Sequence, residues 1–154
     1  IEGFEDIFPE MNIDTHRDSI SHISKKIAPF INSIIKSGEY DKFEYGLVID
    51  VCQLMPEDFL KCIDTELSEI IYLVTECATA EERLKLLDEY DDEKEYTFYK
   101  SQEKRSEICK DIVEESSTFR IECEKHGLKC IDTSYQRTEK FDKILKAIEE
   151  RKNA

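Results

Sequence analysis

Glycine is scarce in this chain, with four residues at positions 3, 38, 46 and 127, and no Gly-x-x-x-x-Gly-Lys-Ser/Thr stretch occurs. A loop of that type cradles phosphates with backbone N–H groups and a lysine, so the chain carries no such loop. Cationic charge is also short. Lys and Arg number 22 against 36 Asp and Glu, for a net charge of −14. This excludes DNA or RNA as the main partner, because phosphate backbones are held by clustered cations. A small phosphorylated ligand, which needs only a few local cations, stays possible. No apolar run reaches the roughly 18 residues of a membrane span, and no signal-peptide pattern is expected. The six cysteines, at 52, 62, 77, 109, 123 and 130, include no Cys-x-x-Cys, and His16, His22 and His126 share no metal spacing. The expectation is reduced thiols in a cytoplasmic protein, without zinc.

What is present is a soluble, helix-rich composition, with 40% hydrophobic and 38% charged residues in 154. That length supports a single domain over residues 1–154 with a moderate core. The chain begins at Ile1 rather than Met, as expected of a processed product or a piece of a longer protein.

The organising stretch is Glu44-Tyr-Gly-Leu-Val-Ile-Asp-Val. A short β-branched run between helical patterns reads as a strand buried on both faces of a parallel sheet. Ligands of such sheets bind beyond the carboxyl ends of the strands, which draws attention to Asp50.

Ahead of it, Phe4, Ile7, Phe8, Met11 and Ile13 are too apolar for a free tail. Residues 15–37 read as a helix with an apolar stripe of Ile20, Ile23, Ile27, Phe30, Ile31, Ile34 and Ile35. Pro29 predicts a kink or a split there, and Gly38 suits the end of the helix. Pro56 opens a short helix to about 63. Residues 69–75 form a second buried strand, and Thr79-Ala-Glu-Glu is a capping box for a helix to about 87. Residues 88–100 are acidic, carry Tyr90, Tyr96, Phe98 and Tyr99, and follow no period. An aromatic loop that covers something fits them better than a plain polar loop. Ser101 caps a long helix to 126 with Ile108, Ile112, Val113, Phe119 and Cys123 inward, and Gly127 ends it. Residues 128–132 are a third strand, and 138–151 a last helix with Phe141, Ile144, Leu145 and Ile148 inward. Strands alternating with helices predict an α/β fold with a parallel sheet.

The order of these elements over about 15–154 resembles the latter three-quarters of a P-loop small-molecule kinase, of the adenylate-kinase-like and AAA-type annotated group. Tyr45-Gly-Leu-Val-Ile-Asp looks like the third strand with its Walker B-type acid, and Ile70-Ile-Tyr-Leu-Val like the fourth. Residues 79–126 look like the lid insertion. Lys129-Cys-Ile-Asp-Thr-Ser and the final helix look like the fifth strand and last helix. The resemblance implies an incomplete three-layer sandwich around a parallel sheet, with the first two strands and the phosphate loop absent from this chain. Residues 1–43 would be a helical acceptor-side region, and 44–154 the core with a lid-like insertion near 88–100. A missing N-terminal segment or a second copy would complete the sheet.

The site residues follow from the resemblance. Asp50 would be the catalytic carboxylate and would bind Mg2+ through water. A polar strand end or helix cap explains it equally simply. Arg83 and Arg105 flank the aromatic loop. The resemblance implies that Arg105 stabilises charge on the transferred phosphoryl group and that Arg83 binds substrate, although the loop itself has no arginine. His16 and Arg17 would bind the acceptor, since a cation at a helix N-terminus is disfavoured by the dipole and an anionic ligand would account for it. Solvated side chains explain both as well. Thr133 and Ser134 would line the adenine side, unless they form only a hydroxyl-stabilised turn. Tyr96, Phe98 and Tyr99 would pack the lid on the body or stack on a base. The implied function is transfer of the γ-phosphoryl group of ATP, with Mg2+, to a small molecule, and this chain alone is expected to be inactive. The alternative is a non-catalytic acidic α/β interaction module.

Overall fold

The computed structural model describes residues 16–42, 46–52, 54–77 and 79–152. The apolar residues Phe4 to Ile13 lie outside them, as do the side chains of His16 and Arg17. The chain divides into two compact units, Ile1–Glu69 and Ile70–Ala154.

In the first unit, α1 (His16–Ser37) runs without interruption through Pro29 and ends in a 3-10 turn, Glu39–Lys42. The predicted split at Pro29 does not occur: the residue sits in one continuous helix, exposed to solvent. Gly38 takes the left-handed conformation, φ 64°, that terminates a helix.

The buried line of α1 keeps Ile20, Ile31 and Ile35 of the predicted stripe but passes through Ser24 and Ala28 in the middle, with Ile23, Ile27 and Ile34 half-buried and Phe30 67% exposed. Small residues occupy the middle because α2 (Pro56–Leu60) packs closely there. Ser24 Oγ accepts from Met55 N at 2.7 Å and donates to Ile20 O at 2.7 Å, so one hydroxyl joins the two segments. Leu54, Met55, Phe59 and Ile63 supply the facing apolar surface.

The predicted first strand is overturned. Gly46–Val51 has no strand pairing, and Leu47, Val48 and Ile49 are 44%, 86% and 38% exposed. The described strands, β1 (Ile71–Val74) and β2 (Lys129–Asp132), both belong to the other unit. A doubly buried strand needs a neighbour on its edges and cover on both faces, and the described residues of this unit provide no strand to pair with. The three-layer parallel-sheet sandwich is accordingly contradicted: the described fold is mostly helical, with one two-stranded parallel sheet.

In the second unit, β1 pairs in parallel with β2, Ile71 opposite Lys129 and Val74 opposite Asp132. The connection carries α3 (Ala80–Tyr90) and α4 (Gln102–His126). Both start where side-chain caps predict. Thr79 accepts from Glu82 N and Ser101 from Lys104 N. α4 lies on both strands, and Tyr72 of β1 stacks on Phe119 at 5.7 Å. Its buried line again runs through small residues, Cys109, Ser116 and Cys123, with Glu122 beside them. α5 (Arg137–Lys152) follows β2 and leaves Leu145 and Ile148 59% and 43% exposed, not inward as predicted.

Gly127 closes α4 at φ 65°, which lets Leu128 N donate to Cys123 O at 2.9 Å and turns the chain into β2. A Cβ there would meet no atom within 4 Å, so Gly127→Ala is strained but not clashing. The expected cost is about 1 kcal/mol in urea unfolding, from the left-handed backbone alone.

Candidate functional site

The carboxyl ends of β1 and β2 form a densely hydrogen-bonded polar corner. Asp132 ends β2, and its Oδ1 accepts from Glu76 N at 3.0 Å, Ser134 N at 2.9 Å and Ser134 Oγ at 2.5 Å. Lys140 Nζ lies 3.4 Å from Oδ2. Burial pushes this carboxyl up, but the Ser134 hydroxyl, the two backbone N–H groups and the Lys140 charge outweigh it and hold the pKa at about 2. Thr133 N and Oγ1 both donate to Val74 O, at 2.7 and 3.0 Å. One acid and one carbonyl therefore tie the turn after β2 to the loop after β1.

Arg120 of α4 braces the same corner. Its Nε and Nη2 donate to the two Glu76 carboxylate oxygens at 2.7 Å each, and its Nη1 to Cys130 O at 2.9 Å. A bidentate guanidinium–carboxylate pair fixes orientation as well as charge. Beneath it the thiols of Cys123 and Cys130 are hydrogen-bonded to each other, and burial pushes Cys123 up to about 12. Cys123 is thus a protonated packing group at neutral pH, not a nucleophile. All six cysteines are free.

The predicted Thr133 and Ser134 sit in this corner, but their hydroxyls are committed to Val74 O and Asp132. What the turn presents outward is the Tyr135 ring, 47% exposed, whose O–H donates to the Glu82 carboxylate. Glu76, Arg120 and Asp132 were missed from the sequence. The Asp-Thr-Ser order was the available sign, since a carboxylate that bonds the backbone two residues on makes an Asx-turn.

The other predicted residues are dispersed. Asp50 lies exposed in the unpaired Gly46–Val51 segment. His16 opens α1, followed by Arg17. Arg105 is only 14% exposed and pairs with Asp88 at 3.1 Å and Asp91 at 3.3 Å, so its charge is used at the root of the aromatic loop. Arg83 lies on α3, its Nε buried and without a hydrogen-bond partner among the described residues. Its charge acts on both Tyr96 and Cys109.

No protein-family model, curated protein or solved structure matches this chain. Each unit has a shallow hollow. One, of about 170 Å³, is lined by Lys129, Ile131, Lys140, Lys143 and Ile144. The other, of about 210 Å³ in the first unit, surrounds Asp58, which accepts from Ser21 Oγ and lies 3.8 and 3.5 Å from Lys25 and Lys61. No group of three metal-ligating side chains occurs among the described residues, and no described helix is long and apolar enough to cross a membrane.

Proposed function

We propose that this chain serves ATP-dependent transfer of a phosphoryl group to a small molecule in the cytoplasm, as the base-side part of a P-loop small-molecule kinase. The observation that carries this reading is the parallel β1–β2 pair, joined through two helices and an aromatic loop, whose carboxyl ends close on a rigid Thr133–Ser134 turn. That is the element order the resemblance implies for the lid and the nucleotide-base side. Ligands of parallel strands bind at this end.

ATP would supply the phosphoryl group, and Mg2+ would neutralise its charge. The residues fit the base better than the phosphates or the metal. The turn after β2 offers an exposed tyrosine ring, whereas a lone exposed Asp50 is the carboxylate assigned to Mg2+ through water. Among the described residues Arg105 is held by two carboxylates, which leaves Arg83 as the better cation for substrate. Phosphoryl transfer depends mainly on positioning and on stabilising charge at the phosphates. No phosphate loop is present in this sequence, so this chain alone is expected to give no turnover.

The test is a thermal shift with adenosine, ATP–Mg2+ and inorganic triphosphate on the same protein. Base-side recognition predicts an equal rise of about 1–3 °C from adenosine and ATP–Mg2+ at concentrations above Kd, and none from triphosphate. A rise from triphosphate alone, or none from any of them, counts against the reading. The second reading, an acidic interaction module without catalysis, is favoured by the exposed Leu47-Val48-Ile49 run.

A further inference from the structure

The segment between α3 and α4 combines three properties. It is closed by its own hydrogen bonds, it is acidic, and it holds its aromatic rings in solvent. Tyr90, Tyr96, Phe98 and Tyr99 are 73%, 66%, 43% and 76% exposed. Exposed rings on a floppy loop would need little comment, but this loop is built. Successive turns close it, with Glu95 N donating to Asp92 O at 2.9 Å, Phe98 N to Glu95 O at 3.1 Å and Lys100 N to Thr97 O at 3.0 Å. Thr97, 3% exposed, turns inward and donates through Oγ1 to both Asp91 oxygens at 3.0 and 2.8 Å. Asp91 in turn pairs with Arg105 of α4. Phe98 and Tyr99 stand edge to face, with ring centroids 5.1 Å apart.

Around the rings the charge has one dominant sign. Between positions 88 and 100 there are six acids and two lysines. Asp91 is spent on the internal pair, whereas Glu89, Asp92, Glu93 and Glu95 are exposed. Aromatic faces carry negative electrostatic potential and attract cations, guanidinium above ammonium because it is planar and weakly hydrated. Carboxylates beside the rings add long-range steering of a cationic partner. The same field repels nucleic acid and anionic membrane surfaces. Rings spread over ten positions suit an extended chain better than a compact small molecule.

We infer that the segment 89–99, through its exposed rings Tyr90, Tyr96, Phe98 and Tyr99 and its exposed carboxylates Glu89, Asp92, Glu93 and Glu95, docks an arginine-rich peptide segment of a protein partner. The inference is independent of the kinase reading.

Fluorescence anisotropy of a labelled oligo-arginine peptide at about 150 mM salt, where distant charges are largely screened, tests it on the full chain. Binding to the unaltered protein is expected, with an oligo-lysine peptide of equal length about threefold weaker. Tyr90→Ala with Tyr99→Ala should weaken oligo-arginine about tenfold, while Tyr99→Phe retains binding because the ring persists. Asp142→Asn with Glu150→Gln, which removes two exposed charges on α5, should change it less than twofold. Both tyrosines are mostly exposed, so the alanine variants should keep the unaltered circular dichroism and melting temperature. The inference is overturned if neither peptide binds, if the two peptides bind alike, or if the α5 charge variant loses as much as the alanine variant. Each of the last two results would mean generic attraction to a protein of net charge −14.

Discussion

Asp91→Ala is expected to destabilise the unit Ile70–Ala154 by about 2–3 kcal/mol, which is a large part of the stability of a small domain. The Asp91 side chain is 3% exposed and the Arg105 side chain 14%. Removing the carboxylate leaves a guanidinium largely buried, with only Asp88 beside it, and strands the inward Thr97 hydroxyl. A buried cation reduced to one half-exposed partner and an unpaired buried donor each carry a desolvation penalty. Urea unfolding followed by circular dichroism measures the loss. Arg105→Ala should cost at least as much, since it leaves the Asp91 carboxylate buried with only its Thr97 bond, and the double variant should fall short of the sum of the single losses because the two groups share one interaction. A loss below about 1 kcal/mol for Asp91→Ala would mean that the loop does not rest on this pair.

Asp132→Asn is expected to cost about 2 kcal/mol at neutral pH and nothing near pH 2. The sign follows from the depressed carboxyl, held at about 2 against an ordinary 3.8. A carboxylate more acidic folded than unfolded contributes its full stability above its unfolded pKa. That contribution is lost as pH falls from about 4 through about 2. Urea midpoints of the unaltered protein and the variant should therefore converge across that window. A gap that is independent of pH would show that Asp132 acts by hydrogen-bond geometry alone, without its charge.

The elements of the second unit were legible because their signals are local. Thr79 and Ser101 cap their helices, Gly127 ends one, and two apolar runs bounded by polar turns make the paired strands. The buried helix faces were not legible in the same way. In α1 and α4 the lines of closest approach run through Ser24, Ala28, Cys109 and Ser116, whereas reading by hydrophobicity favours the larger isoleucines beside them. Size at a close contact is a property of the facing element, so it is not encoded in the helix's own period. The strand over 44–51 failed for a related reason. Val48 and Ile49 have the right composition for a strand, but a strand exists only with a partner, and composition does not supply one. At the candidate site, Thr133 and Ser134 were legible as a turn. Asp132, Glu76 and Arg120 were not, because they meet only through the fold: Glu76 N reaches Asp132 across 56 positions and Arg120 reaches Glu76 across 44.

Mapping of backbone amide chemical shifts during titration with adenosine, then with ATP–Mg2+, tests the central claim most directly. If the carboxyl ends of β1 and β2 receive a nucleotide base, the largest shifts fall on Thr75, Glu76 and residues 133–136, they are the same for both ligands, and residues 46–51 stay unchanged. Saturating ligand that leaves the 133–136 amides unmoved, or moves other residues instead, would contradict it.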